Sequence, residues 1–365
     1  MATSRYSIRQ RESGRSQARW YDDAGTRHTR MFDNRTEAKR FLNQMTADKQ
    51  NGTYRDPRDA ELPFRKVAEG WLATKVKRPK TLAGYESLLR THLLPTFGDR
   101  QVGSIKTSDV RRWLADMQRK GCAPGTIRNA YRVLTPILDA AVENRYMAAN
   151  PCGPLKRDDF PKPRRTTMLF LDAEQVARLA AEIPAPYDVL LHFAARSGMR
   201  AGEIGALRME NVDLLRKVVH VRESLSEVAG ALHYLPPKTG EERTVVLSAA
   251  LTRMLRDYLV AQPQKGPRDF LFTAPGDPTA PVRHSGWFYG NVFKPAARRA
   301  GLSPRLRFHD LRHTCASLLI AENVPAKAIQ EHLGHSSYAI TMDRYGHLYP
   351  AATDDVREAL ERAFG

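Results

Sequence analysis

The chain has 365 residues, 42% of them hydrophobic, which is enough for two or three domains with cores of their own. A net charge of +18 and a pI of about 10.0 favour a polyanionic partner, either nucleic acid, a ribosomal site or a membrane surface. Three cysteines without a C-x-x-C pair argue against a disulfide framework or a cysteine-rich zinc site. A polar N-terminus and the lack of a long apolar run predict a soluble protein of the cytoplasm.

The charge is unevenly distributed. Residues 1–160 contain 31 Lys and Arg against 18 Asp and Glu, whereas residues 161–365 contain 27 against 22. We therefore expect the first part to supply most of the electrostatic contact with the partner, and the second part to use fewer cations in defined positions. Among the possible partners, nucleic acid is favoured.

Residues 1–58 predict a small three-stranded sheet with one helix. The segments RYSIR, RSQARWYD and RHTRMFD are typical of short strands, and an apolar stripe at helical spacing follows from about Thr36. If the helix covers one face of the sheet, Arg19, Arg27 and Arg30 project from the other and can contact a DNA groove. A solvated basic sheet without a ligand is the alternative.

Residues 59–150 predict an all-helical domain. Apolar residues recur at helical spacing in several segments, with Thr126 as the expected N-cap of the last and Pro136 expected to kink it or shift its boundary. Each cation on this domain could be an ordinary solvated charge, but together they suit a bundle that lies on a duplex. They are Arg111, Arg112, Arg119, Lys120, Arg128 and Arg132.

Residues 151–167 are rich in proline and basic residues and predict an extended linker, in which Arg164 and Arg165 can contact phosphates. A mixed α/β domain is predicted over 168–365. Its first helix should be capped at Asp172 by a D-x-x-Q pattern, and short strands are expected over 218–225, 231–236 and 243–247.

Six residues of this last domain have side chains suited to chemistry on a phosphate: Arg200, Lys238, His309, Arg312, His335 and Tyr345. Arginine binds two phosphate oxygens with its planar fork and keeps its charge, and Glu203 lies where it can support Arg200. Taken alone, Lys238 would be a solvated turn residue. A tyrosine needs cations and a base to become a nucleophile, because its ordinary pKa is about 10.

Two other tyrosines compete for that role, and a metal site is a competing interpretation. Tyr338 is too close to His335 in sequence, whereas Tyr345 can reach across from the following helix; Tyr349 is the other rival. His309 and His313 have the i, i+4 spacing of a helical zinc site, but a third ligand is not evident and a cation lies between them. Neither a metal nor a nucleotide cofactor is predicted.

These six residues, in this order and spacing, resemble the catalytic pattern of the tyrosine recombinase family, in particular lambda-like integrases of phages and integrative elements. The resemblance implies that Tyr345 attacks a DNA phosphate and forms a 3′-phosphotyrosine. It implies that Arg200 and Arg312 hold the non-bridging oxygens and that Lys238 protonates the leaving 5′-oxygen. His309 would then be the general base, and His335 would donate a hydrogen bond to the phosphate.

The resemblance also implies a multidomain α+β fold with an arm-type DNA-binding domain (1–58), a core-binding domain (59–150) and a catalytic domain (168–365). The implied function is integration and excision of mobile DNA by a homotetramer on core and arm sites, through a Holliday junction. A DNA-bending host factor, an excisionase and docking of the tail 351–365 on a neighbouring protomer belong to the same expectation. Alternatives are a resolvase or chromosome-dimer recombinase, a type IB topoisomerase and a non-catalytic DNA-binding regulator.

Overall fold

The structure is a computed structural model, and it describes residues 6–21, 25, 27–50, 61–162, 168–238, 240–283, 286–349 and 353–364. The chain divides into two compact units, Met1–Arg165 and Thr166–Gly365. Within the ranges just given, no helix is both long and apolar enough to cross a bilayer.

The chain begins with a three-stranded antiparallel sheet and a helix, as predicted. The strands β1 (Tyr6–Gln10), β2 (Ser16–Tyr21) and β3 (Arg27–Phe32) follow one another across the sheet, and α1 (Arg35–Gln50) packs against it. The helix begins just after Asn34, whose side-chain oxygen accepts a hydrogen bond from the backbone N–H of Glu37 at 2.9 Å. The small core contains Ala18, Trp20, Ala38, Leu42 and Met45.

One predicted DNA contact of this sheet, Arg30, lies on the wrong face. In the antiparallel register Arg30 is directly opposite Ala18, which is buried under α1, and opposed residues share a face. The Arg30 guanidinium lies 5.5 Å from the centre of the Phe41 ring on the helix. Arg19 and Arg27 lie on the opposite face, as predicted. Strand alternation places neighbouring residues on different faces, so the three arginines could not all share one.

A helical region follows and has a core of its own, built from the apolar stripes that the sequence shows. Its helices are α2 (Phe64–Ala73), α3 (Pro79–Leu88), a π-helical turn (Leu89–Leu93), α4 (Leu94–Phe97), α5 (Thr107–Arg119) and α6 (Pro124–Glu143). The predicted N-cap at Thr126 is wrong, because α6 begins at Pro124, where a missing backbone N–H costs nothing. Pro136 lies inside α6 and does not shift its boundary.

Residues 151–162, assigned from the sequence to an extended linker, pack against α6. Cys152 is buried, and its carbonyl oxygen accepts a 2.9 Å hydrogen bond from the hydroxyl of Tyr131. The Phe160 ring meets the Tyr131 ring edge to face at 4.7 Å. Arg164 and Arg165 lie outside the described residues. The domain bounds at 58, 150 and 167 remain predictions.

The second unit is mixed α/β, as predicted. Its elements are α7 (Ala173–Ala181), α8 (Tyr187–Ser197), α9 (Ala201–Ala206), β4 (Val212–Asp213), β5 (Val218–Val221), β6 (Ser224–Val228), β7 (Ala231–Leu235), β8 (Arg243–Val246), α10 (Ala249–Val260), β9 (Thr273–Ala274), β10 (Asp277–Pro281), a π-helical turn (Phe288–Phe293), α11 (Lys294–Arg299), α12 (Asp310–Ala321), α13 (Ala326–Leu333), α14 (Tyr338–Tyr345) and α15 (Thr353–Phe364). The strands form small antiparallel sheets in the orders β4-β5-β8, β6-β7 and β9-β10. The predicted cap of α7 is present, since Asp172 and Gln175 exchange hydrogen bonds of 2.7 and 3.0 Å.

The helix α12 organises the C-terminal part of this unit. It packs against α8, and most of its residues are buried. A second apolar cluster joins it to the helices that follow and contains Ala316, Ile320, Ile329, Leu333 and Tyr345. This packing brings the start of α12, the end of α13 and the end of α14 together.

Candidate active site

Five of the six predicted catalytic residues line one cavity of about 400 Å³. The residues around it are Arg200, Lys238, His309, Arg312, His335, Ser336, Ile340 and Arg344. They come from four separate stretches of the chain that only the tertiary fold brings together. The cavity is strongly cationic and lies entirely within the second unit.

Arg200 is held at the start of α9, as expected from its spacing to Glu203. Its backbone N–H and its Nη1 donate to the Glu203 carboxylate at 2.9 and 2.8 Å, and its Nη2 donates to the carbonyl of Gly334 at 2.7 Å. The side chain keeps 23% of its surface exposed. The guanidinium is therefore fixed on two sides and open on the cavity side.

Arg312 lies in the first turn of α12 and is only 3% exposed. Its Nη1 and Nη2 donate to the carbonyls of Gly198 and Leu333, both at 2.7 Å. Burial, followed by repulsion from Arg200, lowers the pKa of Arg312 to about 9, so it stays charged at neutral pH. Two carbonyl dipoles thus hold a cation at the cavity wall.

Arg243 on β8 completes this support and was missed from the sequence. Its Nη1 and Nη2 donate to the two carboxylate oxygens of Glu203 at 3.0 and 2.6 Å, and its Nε donates to the carbonyl of His332 at 3.2 Å. Burial tends to raise the pKa of the fully buried Glu203 carboxyl, but the bonds to Arg243 and the charge of Arg200 lower it overall. Nothing in a short strand sequence indicates such a long-range pair.

The two histidines of the cavity wall are neutral at physiological pH. Burial, followed by the charges of Arg312 and Arg344, lowers the pKa of His335 to about 3. Its Nδ1 is 2.9 Å from the hydroxyl of Thr341, while its buried Nε2 has no hydrogen-bond partner in the described chain. Desolvation, followed by the charge of Arg312, lowers the pKa of His309 to about 4. Both rings are therefore in the neutral form, in which one ring nitrogen can donate and the other can accept a hydrogen bond.

Tyr345 ends α14, is fully buried and does not line the cavity. Its hydroxyl is 2.7 Å from Nδ1 of His313, and its ring lies nearly parallel to that of His335, with centroids 6.2 Å apart. Burial raises its pKa, and the charges of Arg312 and Arg344 oppose that rise. The phenol therefore lies directly behind the cavity wall, under a residue that lines it.

The rival tyrosines lie elsewhere. Tyr338 begins α14 and is 48% exposed, and the hydroxyl of Tyr349 donates to the carbonyl of Val324 at 3.4 Å. None of the three tyrosines lines the cavity, but the Tyr345 ring lies against that of His335, which does line it. The geometry favours Tyr345 among the three.

The histidine pair that suggested zinc makes other contacts. His313 Nδ1 faces the Tyr345 hydroxyl, and the His309 ring meets the His313 ring edge to face at 5.0 Å. Within the part of the chain that the structure describes, no group of three or more His, Cys, Asp or Glu is placed to hold a metal ion.

The predicted DNA-binding arginines of the helical region differ in their surroundings. Arg111 forms a 3.0 Å ion pair with Asp159, and Arg128 donates to the carbonyl of Pro161 at 3.4 Å. Arg112 and Arg132 are exposed on α5 and α6. Arg111 and Arg128 therefore contribute to packing of the segment 151–162.

Comparisons with known proteins identify relatives of this chain. Residues 169–352 match the Phage integrase family, and residues 64–158 match the Phage integrase central domain. A prophage phiRv2 integrase of Mycobacterium tuberculosis is 28% identical over 302 residues, covering 82% of this chain and 78% of that protein. The integrase of Mycobacterium phage L5 is 26% identical over 371 residues, covering 98% of this chain and 97% of its own length. A Tn1549 transposon integrase in complex with a circular intermediate DNA has the same fold, with a TM-score of 0.70 at 21% identity, over 82% of this chain and 99% of that one.

Proposed function

The chain belongs to the phage integrase family of tyrosine site-specific recombinases, and we propose that it integrates and excises mobile DNA with Tyr345 as the nucleophile. The observation that carries this assignment is the single cavity that collects Arg200, Lys238, His309, Arg312 and His335, with the buried phenol behind its wall. The N-terminal sheet and helix favour an integrase over a resolvase or chromosome-dimer recombinase, which the resemblance associates with chains that lack such a domain.

The proposed reaction is a transesterification. The Tyr345 oxygen forms a bond to the phosphorus while the bond from phosphorus to the 5′-oxygen breaks. The phenol proton passes to neutral His309, and the exposed Lys238 ammonium protonates the 5′-oxygen. A 5′-hydroxyl from the partner duplex then reverses the step, because the phosphotyrosine link keeps the energy of the broken bond.

The fixed guanidinium groups account for most of the expected acceleration. Arg200 and Arg312 are bonded to the protein before any DNA arrives, so little reorganisation is needed when negative charge grows on the phosphate oxygens. The Nε2 of His335, which has no hydrogen-bond partner among the described residues, is proposed to bind the same phosphate. The phenol itself must move to reach the cavity, since it is fully buried beside His313.

A covalent-adduct assay tests this function. The full chain is incubated in EDTA with nicked attachment-site DNA, and denaturing electrophoresis detects protein-linked DNA. We expect an adduct with the wild type, none with Tyr345→Phe and an undiminished amount with Tyr338→Phe, the matched control. A regulator would give no adduct, a metal-dependent hydrolase would be inactive in EDTA, and an adduct that persists in Tyr345→Phe contradicts the assignment.

We propose further that residues 1–58 bind arm-type sites while residues 59–150 and the catalytic domain bind the core site, in a homotetramer on two duplexes. Tethering two DNA sites through one chain raises the effective concentration at the core site. The exposed apolar side chains Leu360 and Phe364 of α15 suit docking on a neighbouring protomer. A DNA-bending host factor and an excisionase would assist this assembly.

Deletion of residues 1–58 tests the arm assignment. We expect the shortened chain to cleave a core site weakly and to lose integration, because only the second DNA contact is removed. Integration assays and the adduct assay measure the two activities on the same preparation. Unchanged integration would contradict an arm-binding role.

A further inference from the structure

Arg344 lines the active-site cavity but has no role in the reaction described so far. It lies in the last turn of α14, immediately before Tyr345. Its side chain is exposed, and within the described residues it donates no hydrogen bond and joins no ion pair. A free guanidinium at the wall of a phosphate-binding cavity is a feature that packing does not explain.

The contrast with the other two arginines of the cavity is informative. Arg200 uses its Nη1 and Nη2 for Glu203 and Gly334, and Arg312 uses both for backbone carbonyls. Each of them therefore has only part of its donor set left for a ligand. Arg344 donates none of its five N–H groups to the part of the chain that the structure describes, and a phosphate oxygen is the acceptor that such a fork fits best.

The position of the guanidinium agrees with this view. The positive charge of Arg344 contributes to the lowered pKa of both His309 and His335, which lie on different elements of the cavity. It also favours the ionised form of Tyr345. Arg344 lines the same cavity as His309, the proposed base, and His335, and it directly precedes the proposed nucleophile on α14.

We propose that Arg344 is a third phosphate-binding arginine, which contacts the scissile phosphate in the cavity. This inference rests on the proposed function. Because Arg344 shares the last turn of α14 with Tyr345, its bond to the DNA also ties the helix that carries the nucleophile to the phosphate under attack. Arg200 and Arg312 hold the phosphate from the body of the domain, whereas Arg344 holds it from the side of the nucleophile.

Three variants test the proposal. Arg344→Ala removes the fork and Arg344→Lys keeps the charge. Arg253→Ala is the matched control, an exposed arginine on α10 that does not line this cavity. We expect Arg344→Ala to slow adduct formation by about 10- to 100-fold and to reduce the slope of log affinity against log salt by about 1. Arg344→Lys should keep the slope and recover part of the rate, and Arg253→Ala should behave as the wild type. Thermal unfolding should not change in any of them, since Arg344 has no described partner to lose.

A DNA substrate with an uncharged methylphosphonate shows which phosphate Arg344 contacts. Replacing the scissile phosphate by a methylphosphonate removes its charge, so it should slow the wild type more than it slows Arg344→Ala, while the same change at the next phosphate should slow both equally. The proposal is wrong if Arg344→Ala keeps the wild-type rate and salt slope. It is also wrong if the methylphosphonate slows the wild type more than Arg344→Ala at the next phosphate and not at the scissile one. If the wild type forms no adduct, the proposed function fails, and the salt slopes still decide whether Arg344 contacts a phosphate.

Discussion

Arg312 in the candidate cavity and the surface arginines of the helical region have opposite surroundings. Arg312 is 3% exposed and bonded to two carbonyls, whereas Arg112 and Arg132 project from α5 and α6 into solvent. A buried charge is costly to desolvate, but once fixed it acts strongly in a medium of low dielectric constant. An exposed charge costs little and is screened by salt. The comparison therefore predicts that the rate depends on the few cations of the cavity, whereas affinity depends on the many exposed cations of the helical region.

The variant Arg312→Ala is expected to show the largest effect on the rate. Loss of one preorganised pair of donors should slow adduct formation by about 10³-fold, while DNA affinity falls by less than about tenfold. Single-turnover adduct formation and binding titrations on the same core-site DNA measure the two effects. An equal loss in rate and affinity would show that the buried arginine serves binding alone.

The next test concerns the support behind the cavity. Arg243→Ala leaves the buried Glu203 carboxylate with Arg200 as its remaining partner, and breaking such a buried pair should lower the free energy of unfolding by about 3–5 kcal/mol. Arg178→Ala is the control, because its ion pair with Glu174 is on the surface and should change stability by less than about 1 kcal/mol. Chemical denaturation of both variants gives the values. Similar losses would mean that burial of the pair does not matter.

The pH dependence of stability is a third test. The pKa values of His309, His313 and His335 are about 4, 4 and 3 in the folded protein, against about 6.5 in an unfolded chain. Between these values the unfolded chain binds more protons, so stability should fall as the pH is lowered from about 6.5 to 4. The melting temperature measured across this window should fall less steeply in His313→Gln than in the wild type. The exposed His347→Gln is the control and should keep the wild-type slope.

The smallest effect on adduct formation is expected when a surface arginine of the helical region is replaced. Arg132→Ala should reduce core-site affinity only a few-fold and the salt slope by about 1, with no change in the rate of adduct formation at saturating protein. Binding titrations at several salt concentrations measure both quantities. A loss of adduct formation comparable with that of Arg312→Ala would abolish the distinction between the two sets of cations.

The sequence predicted the fold of each region well where a repeating pattern exists. The apolar stripes of α2, α5 and α6 are buried as expected, and the strand segments near the N-terminus form the predicted sheet. The two wrong predictions, the N-cap at Thr126 and the face of Arg30, arose where one local preference competes with another. Thr126 has the chemistry of an N-cap, but Pro124 begins the helix earlier, and Arg30 was assigned to the open face although strand register puts it beside Ala18.

The candidate active-site residues were predicted from side-chain chemistry and from their order along the chain. Local sequence showed that Glu203 can reach Arg200, because residues three positions apart at the start of a helix lie on the same face. Only the tertiary structure revealed Arg243, the carbonyls that hold Arg312, and the contact between Tyr345 and His313. It also showed that the guanidinium of Arg344 lines the cavity without a partner among the described residues. These partners are far apart in sequence, and their meeting depends on how α12, α13 and α14 pack, which no local pattern encodes.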